Sequence, residues 1–135
     1  MENFGQLLHE IKRILPESRL TPCSDDEIDA IRQEYPGIPK HYLSFLKHVG
    51  WGSFGDSTFM IYGGPCEPSE FFDDATSQEL GDILFFGDDF AGWMAGFEMR
   101  NDWRIVGVES SSRRPHVQEA QTIGQFMAQV VADQE

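Results

Sequence analysis

Phe4, Leu7, Leu8, Ile11, Ile14 and Leu15 recur at three- and four-residue spacing, one face of a helix over residues 3–15, and Pro16 ends the pattern. A single helix cannot bury such a stripe by itself, so the polar stretch 16–24 reads as a connector inside one domain. Ser24 and Glu27 stand in the Ser-x-x-Glu relation of a capping box, and Asp25 and Asp26 place negative charge at the positive end of the helix that follows. Ile28, Ile31 and Tyr35 give that helix its buried side, and Tyr35-Pro36-Gly37 breaks it. Pro39 suits the first turn of a third helix, whose Tyr42, Phe45, Leu46 and Val49 lie at i, i+3, i+4 and i+7. Gly50 supplies its left-handed stop. The second and third helices therefore form a tight corner.

Beyond Gly50 the apolar period moves from 3.6 toward 2, and Gly52, Gly55, Gly63 and Gly64 punctuate aromatic and β-branched residues. Residues 59–63 read as a strand, 65–72 as a loop entering one short helical turn, and 73–82 as a polar surface excursion. Three apolar runs follow at 83–87, 92–97 and 103–108, the last two joined across Arg100-Asn101-Asp102, which predicts an antiparallel meander. An exposed loop at 110–115 leads to Thr122 and Gln125, a second capping pair. Ile123, Phe126, Met127, Val130 and Val131 then form a closing amphipathic helix. The predicted class is α+β, a mostly antiparallel sheet with N-terminal helices and a C-terminal helix packed on it, as one domain over residues 1–135. The 135 residues are 40% hydrophobic and 13% aromatic, enough for one sizeable core without a disulfide or metal.

The order of a capped helix, Gly-Ile-Pro-x-x-Tyr-x-x-Phe-Leu, and a glycine turn is one half of a pattern. The other half is Phe59-Met60-Ile61-Tyr62-Gly63-Gly64-Pro65, Ile83-Leu84-Phe85-Phe86-Gly87-Asp88-Asp89 and Gly92-Trp93-Met94-Ala95-Gly96-Phe97. From about Ser24 to the C-terminus this resembles the SUKH superfamily, which includes a fungal cell-wall-assembly regulator and many bacterial immunity proteins. The resemblance implies the same α+β architecture, and it implies neutralisation of a cognate bacterial toxin, often a nuclease. One departure stands out: where members often carry Asn-Gly-Gly after the Pro-x-x-Tyr helix, this chain has Val49-Gly50-Trp51-Gly52.

Charge sharpens this. Of the formal net charge of −13, the segment between Lys47 and Arg100 holds ten carboxylates and no Lys or Arg, so it carries −10; the other 13 carboxylates and 10 basic residues leave −3. Such asymmetry disfavours nucleic acid and anionic membranes and favours a basic protein partner, although an acidic surface also serves solubility. Two cysteines, Cys23 and Cys66, without C-x-x-C spacing argue against a disulfide framework or thiolate metal site. The start Met1-Glu2-Asn3-Phe4 lacks a basic region ahead of an apolar run, and no stretch has the length of a membrane span, so a reducing cytoplasm is the predicted setting.

Asp88-Asp89 ends an apolar strand beside Phe90, Gly92 and Trp93, a place where catalytic carboxylates stand, yet no histidine lies nearby in sequence. Neighbours on a strand point to opposite faces, so turn-capping competes with catalysis there. His41 and His48 are two helical turns apart, roughly 10 Å along the axis and too far to share a metal, and are expected to face solvent. Cys23 near a helix N-terminus is a weak cue for a reactive thiol. Phosphate-loop, dinucleotide, nucleophile-elbow and H-E-x-x-H motifs are lacking. Trp51, Phe90, Trp93 and Trp103 are candidates for core or for partner anchors. The sequence therefore points to a non-enzymatic binding module without cofactor or metal. Its predicted partner-binding residues are Asp73, Asp74, Glu79, Asp82, Asp88, Asp89 and Trp93. A regulatory adaptor for an endogenous protein is the alternative, and a hydrolase using Asp88 or Asp89 a third.

Overall fold

The structure, a computed structural model, describes residues 3–135, so Met1 and Glu2 of the stretch read for a leader lie outside the described residues. Five α-helices are present among these: α1 (Gly5–Ile14), α2 (Asp25–Glu34), α3 (Lys40–His48), α4 (Asp74–Glu79) and α5 (Ile123–Ala132). Seven strands accompany them: β1 (Arg19–Thr21), β2 (Trp51–Phe54), β3 (Phe59–Cys66), β4 (Ile83–Asp88), β5 (Trp93–Glu98), β6 (Arg104–Glu109) and β7 (Pro115–Val117). The class is α+β, with N-terminal helices and the C-terminal helix on the sheet. None of the described helices is long and apolar enough to cross a membrane.

The caps form where the residues call for them. Ser24 Oγ accepts from the Glu27 N–H at 3.2 Å and the Glu27 carboxylate accepts from the Ser24 N–H at 2.9 Å, closing the box at the start of α2. At the other end of the corner, the Gly50 N–H closes on the Phe45 carbonyl at 3.0 Å and α3 stops.

The sheet is a single antiparallel meander in the order β1-β2-β3-β4-β5-β6-β7. Its outer members depart from the predicted connectors: β1 lies in the 16–24 stretch, β2 directly follows α3, and β7 begins at the end of the 110–115 loop. Gly52 makes the β1–β2 pairing possible, since at its φ of +129° a Cβ would sit 2.1 Å from the Arg19 carbonyl oxygen.

Both faces of the sheet are covered. Ile61, Phe86, Ala95, Phe97 and Ile105 face α1, α2, α3 and α5, in a core that includes Phe4, Ile11, Ile28, Tyr42, Phe45, Phe126 and Met127. Ile83, Phe85, Met94, Val106 and Val108 face the other way, under Leu80 and Phe72. The polar stretch 73–82 is thus more than a surface excursion: it contains α4, and Leu80 at its end seals a second, smaller core. This explains why 83–87 is apolar without alternation, as strands buried on both faces are.

Phe45 is fully buried, stacked on Phe54 of β2 at 6.2 Å and edge-on to Phe4 at 5.8 Å. Phe45→Ala is expected to cost roughly 3–5 kcal/mol, as truncation of a core aromatic does. Lys40→Ala, on the exposed side of the same helix, should move the denaturant midpoint little. Equal midpoints for the two variants would take α3 out of the core.

Candidate functional site

At Asp88 the chain leaves β4 and turns, and the two adjacent carboxylates build that turn. Asp88 Oδ1 accepts from the Phe90 N–H at 2.8 Å, and Asp88 Oδ2 accepts from the Tyr62 hydroxyl at 2.6 Å. Asp89 Oδ1 accepts from both the Ala91 N–H (2.8 Å) and the Trp93 N–H (3.0 Å). Burial, and then the bond to Asp88, push the Tyr62 hydroxyl well above its ordinary pKa. Both carboxylates therefore build the turn, Asp88 through both of its oxygens and Asp89 through Oδ1. Phe90, between them and the next strand, is 48% exposed and held at φ +65°.

Asp89 also faces a groove of about 910 Å³ that runs between this turn, the β2–β3 turn and α5. Its apolar wall is Trp93 with Phe126 and Phe59. Trp93 stacks on Phe126 (6.0 Å, 11° between planes) and meets Phe59 at 6.5 Å. Its ring covers Gly107, where a Cβ would come within 2.0 Å of it, so a glycine on β6 is what lets the indole lie against the sheet. Trp93 is half-buried as a result, and Phe90 is the more exposed aromatic of this turn. The rest of the groove is mostly polar, with the amides of Gln118, Gln125 and Gln129 and the carboxylates of Glu119 and Asp133 beside Asp89, and among the described residues its lining includes no Lys, Arg or His.

The opposite wall stands on α5, whose first turn is fixed by two side chains. Thr122 Oγ1 accepts from the Gln125 N–H at 3.1 Å. His41 Nδ1 accepts from the Ile123 N–H at 3.1 Å. His41 was expected to face solvent; instead α3 turns it toward α5, edge-on to Phe97 at 5.8 Å, and burial pushes its pKa down to about 4. The accepting Nδ1 requires the neutral ring with its proton on Nε2. His48, by contrast, is exposed.

The seven predicted partner-binding residues do not converge on one surface. Asp73 caps α4, accepting from the Thr76 N–H at 2.8 Å, and these bonds to Thr76 hold its carboxyl below the usual range. Arg113 donates to Thr76 Oγ1 at 3.1 Å and brings a cation to the same corner. Asp74 and Glu79 lie on α4, over the second face of the sheet. Asp82, at the start of β4, accepts from the Arg100 N–H at 3.2 Å and from Arg100 Nε at 2.8 Å. Asp88 is six residues further on, about 20 Å along an extended strand. Only Asp89 and Trp93 line the groove. Glu119, Asp133 and the glutamines that complete it come from beyond the acidic segment, and Gln125, Gln129 and Asp133 repeat at four-residue spacing along α5.

Among the described residues no three His, Cys, Asp or Glu side chains are grouped to hold a metal ion. Compared with family models, characterised proteins and solved structures, the chain finds no match.

The burial of His41 makes stability depend on pH. Its folded pKa, about 4, lies below the unfolded value of about 6.5, so its contribution is complete above pH 6.5 and is lost as pH falls toward 4. Discounted for the ring's partial exposure, the loss should be on the order of 1–2 kcal/mol. His41→Asn keeps an acceptor without a titration, so its denaturant midpoint should change less between pH 7 and pH 5 than that of the wild type. Parallel pH profiles for the two proteins would refute a buried, neutral His41 as the source of the dependence.

Proposed function

We propose that this chain is a protein-binding module that captures a basic protein through its acidic surface, in the manner of the SUKH immunity proteins it resembles. The observation that carries this reading is the groove lining, where Asp89, Glu119 and Asp133 meet no cationic side chain. It sits on a chain of net charge −13, whose field raises the encounter rate of a positively charged partner and repels nucleic acid. A toxin domain that binds nucleic acid would present such a basic surface, and covering that surface would silence it. Phe90 supplies an apolar contact next to the acidic turn, and its left-handed backbone is a conformation that costs a non-glycine residue roughly 1–2 kcal/mol.

Two measurements test this, both against a basic toxin domain found encoded next to this chain's gene. In surface-capture kinetics, raising salt from about 20 mM to about 150 mM should slow association by roughly tenfold and change dissociation far less. Association that ignores salt would remove the electrostatic mechanism. Phe90→Gly should separate stability from binding: the fold should gain roughly 0.5–1 kcal/mol as the strain is relieved, while the complex dissociates faster. Unchanged dissociation would take Phe90 out of the interface.

A further inference from the structure

Resting on that basic-partner reading, we infer that the partner's seat is the groove between the β4–β5 turn and α5, and that it takes an extended segment bearing arginine. Three features point there. The first is the state of its acceptors. Asp89 spends only Oδ1 on the turn, Asp133 spends Oδ1 on the Gln129 amide at 2.7 Å, and Glu119 makes no hydrogen bond or ion pair among the described residues. Carboxylate oxygens are thus left over on both walls. The α4 surface differs, since Asp73 caps its helix beside Arg113 and Asp82 is paired with Arg100.

The second feature is the end of α5. A helix C-terminus favours cations, yet the last turn of α5 has no basic residue and Asp133 occupies the C-cap. Arg13 reaches this end of the chain only at Glu135, 2.8 Å away, and does not line the groove. The groove therefore combines a negative helix end with uncompensated carboxylates, an arrangement a bound cation relieves.

The third is the aromatic wall. The Trp93 indole N–H makes no hydrogen bond among the described residues and is not sealed from solvent. A planar guanidinium can lie against the exposed rim of the Trp93–Phe126 stack and give its five donors to carboxylates and glutamine carbonyls; an ammonium gives three and does not stack. A chain segment, not a single side chain, suits a groove of about 910 Å³ that is open along α5.

The test uses the full ¹⁵N-labelled chain at low salt and an acetylated, amidated Gly-Arg-Gly-Arg-Gly peptide, with the lysine peptide as control. The three indole N–H signals are assigned by elimination with Trp51→Phe and Trp103→Phe. Saturable shifts of the Trp93 indole and the Gln129 side-chain amide are expected, with the lysine peptide severalfold weaker. Glu119→Gln with Asp133→Asn should weaken the arginine peptide at least fivefold, and Asp74→Asn with Glu79→Gln should leave it within twofold. Shifts centred on α4, equal losses from both variant pairs, or equal affinity for the two peptides would overturn the arginine groove. A peptide that shifts nothing would overturn it too; salt-dependent association of the protein partner would then show that the basic-partner reading survives, and its absence that both have failed.

Discussion

Phe97 is the contact on which the rest of the molecule leans. From near the end of β5 its ring meets Phe86 of β4 at 4.9 Å, Tyr42 of α3 at 5.3 Å, His41 at 5.8 Å and Trp103 at 6.3 Å. Phe86 passes the contact on to Phe126 of α5 at 5.7 Å. Two helices remote in sequence are therefore held to one spot on the sheet by a continuous aromatic layer, close-packed and intolerant of sliding. The groove inherits its shape from that layer. Phe126 sets how near α5 stands to Trp93, and His41, which touches Phe97, ties down the first turn of the same helix.

Covering both faces of the sheet has a price in charge placement. With helices on one side and the 68–80 stretch on the other, a carboxylate can sit only at strand ends, in turns and on helix rims. Asp82, Asp88 and Asp89 are all of this kind, and each accepts a backbone N–H that would otherwise lack a partner. A hydrogen bond to an amide does not neutralise the acid, so the same residues shape the turns and keep the surface negative.

Much of this architecture was legible. The helix stripes, the Ser24–Glu27 box and the apolar runs of β4, β5 and β6 are strong local signals, and the structure follows them. β1 and β7 are three residues each at the sheet margins, with mostly exposed side chains, so they carry neither alternation nor an apolar run. α4 is six residues long with Thr76 as its one buried side chain, too short for a stripe to repeat. The candidate site was legible only as charge. The −10 of the middle segment is plain in the sequence, but β4 carries Asp82 and Asp88 to opposite ends of one strand, and the register of the meander decides that. Asp133 joins Asp89 through the docking of α5, and Glu119 through the segment between β7 and α5, both tertiary events. His41 was misjudged because its neighbours on the helix stripe say nothing of the second helix that packs beside it.

The strand order has a consequence for how the chain reaches this state. Every strand pairs with its neighbour in sequence, so most of the sheet zips through short loop closures of low entropic cost. The packing of α5 against α1 and α3 is the exception, since it joins segments far apart in the chain, 82 residues at the His41–Ile123 bond and 122 at the Arg13–Glu135 pair. The groove wall on α5 depends on that long-range closure, whereas the acidic turn depends only on the pairing of adjacent strands. The groove thus joins two halves of unlike loop-closure cost, and the meander by itself supplies only one of them.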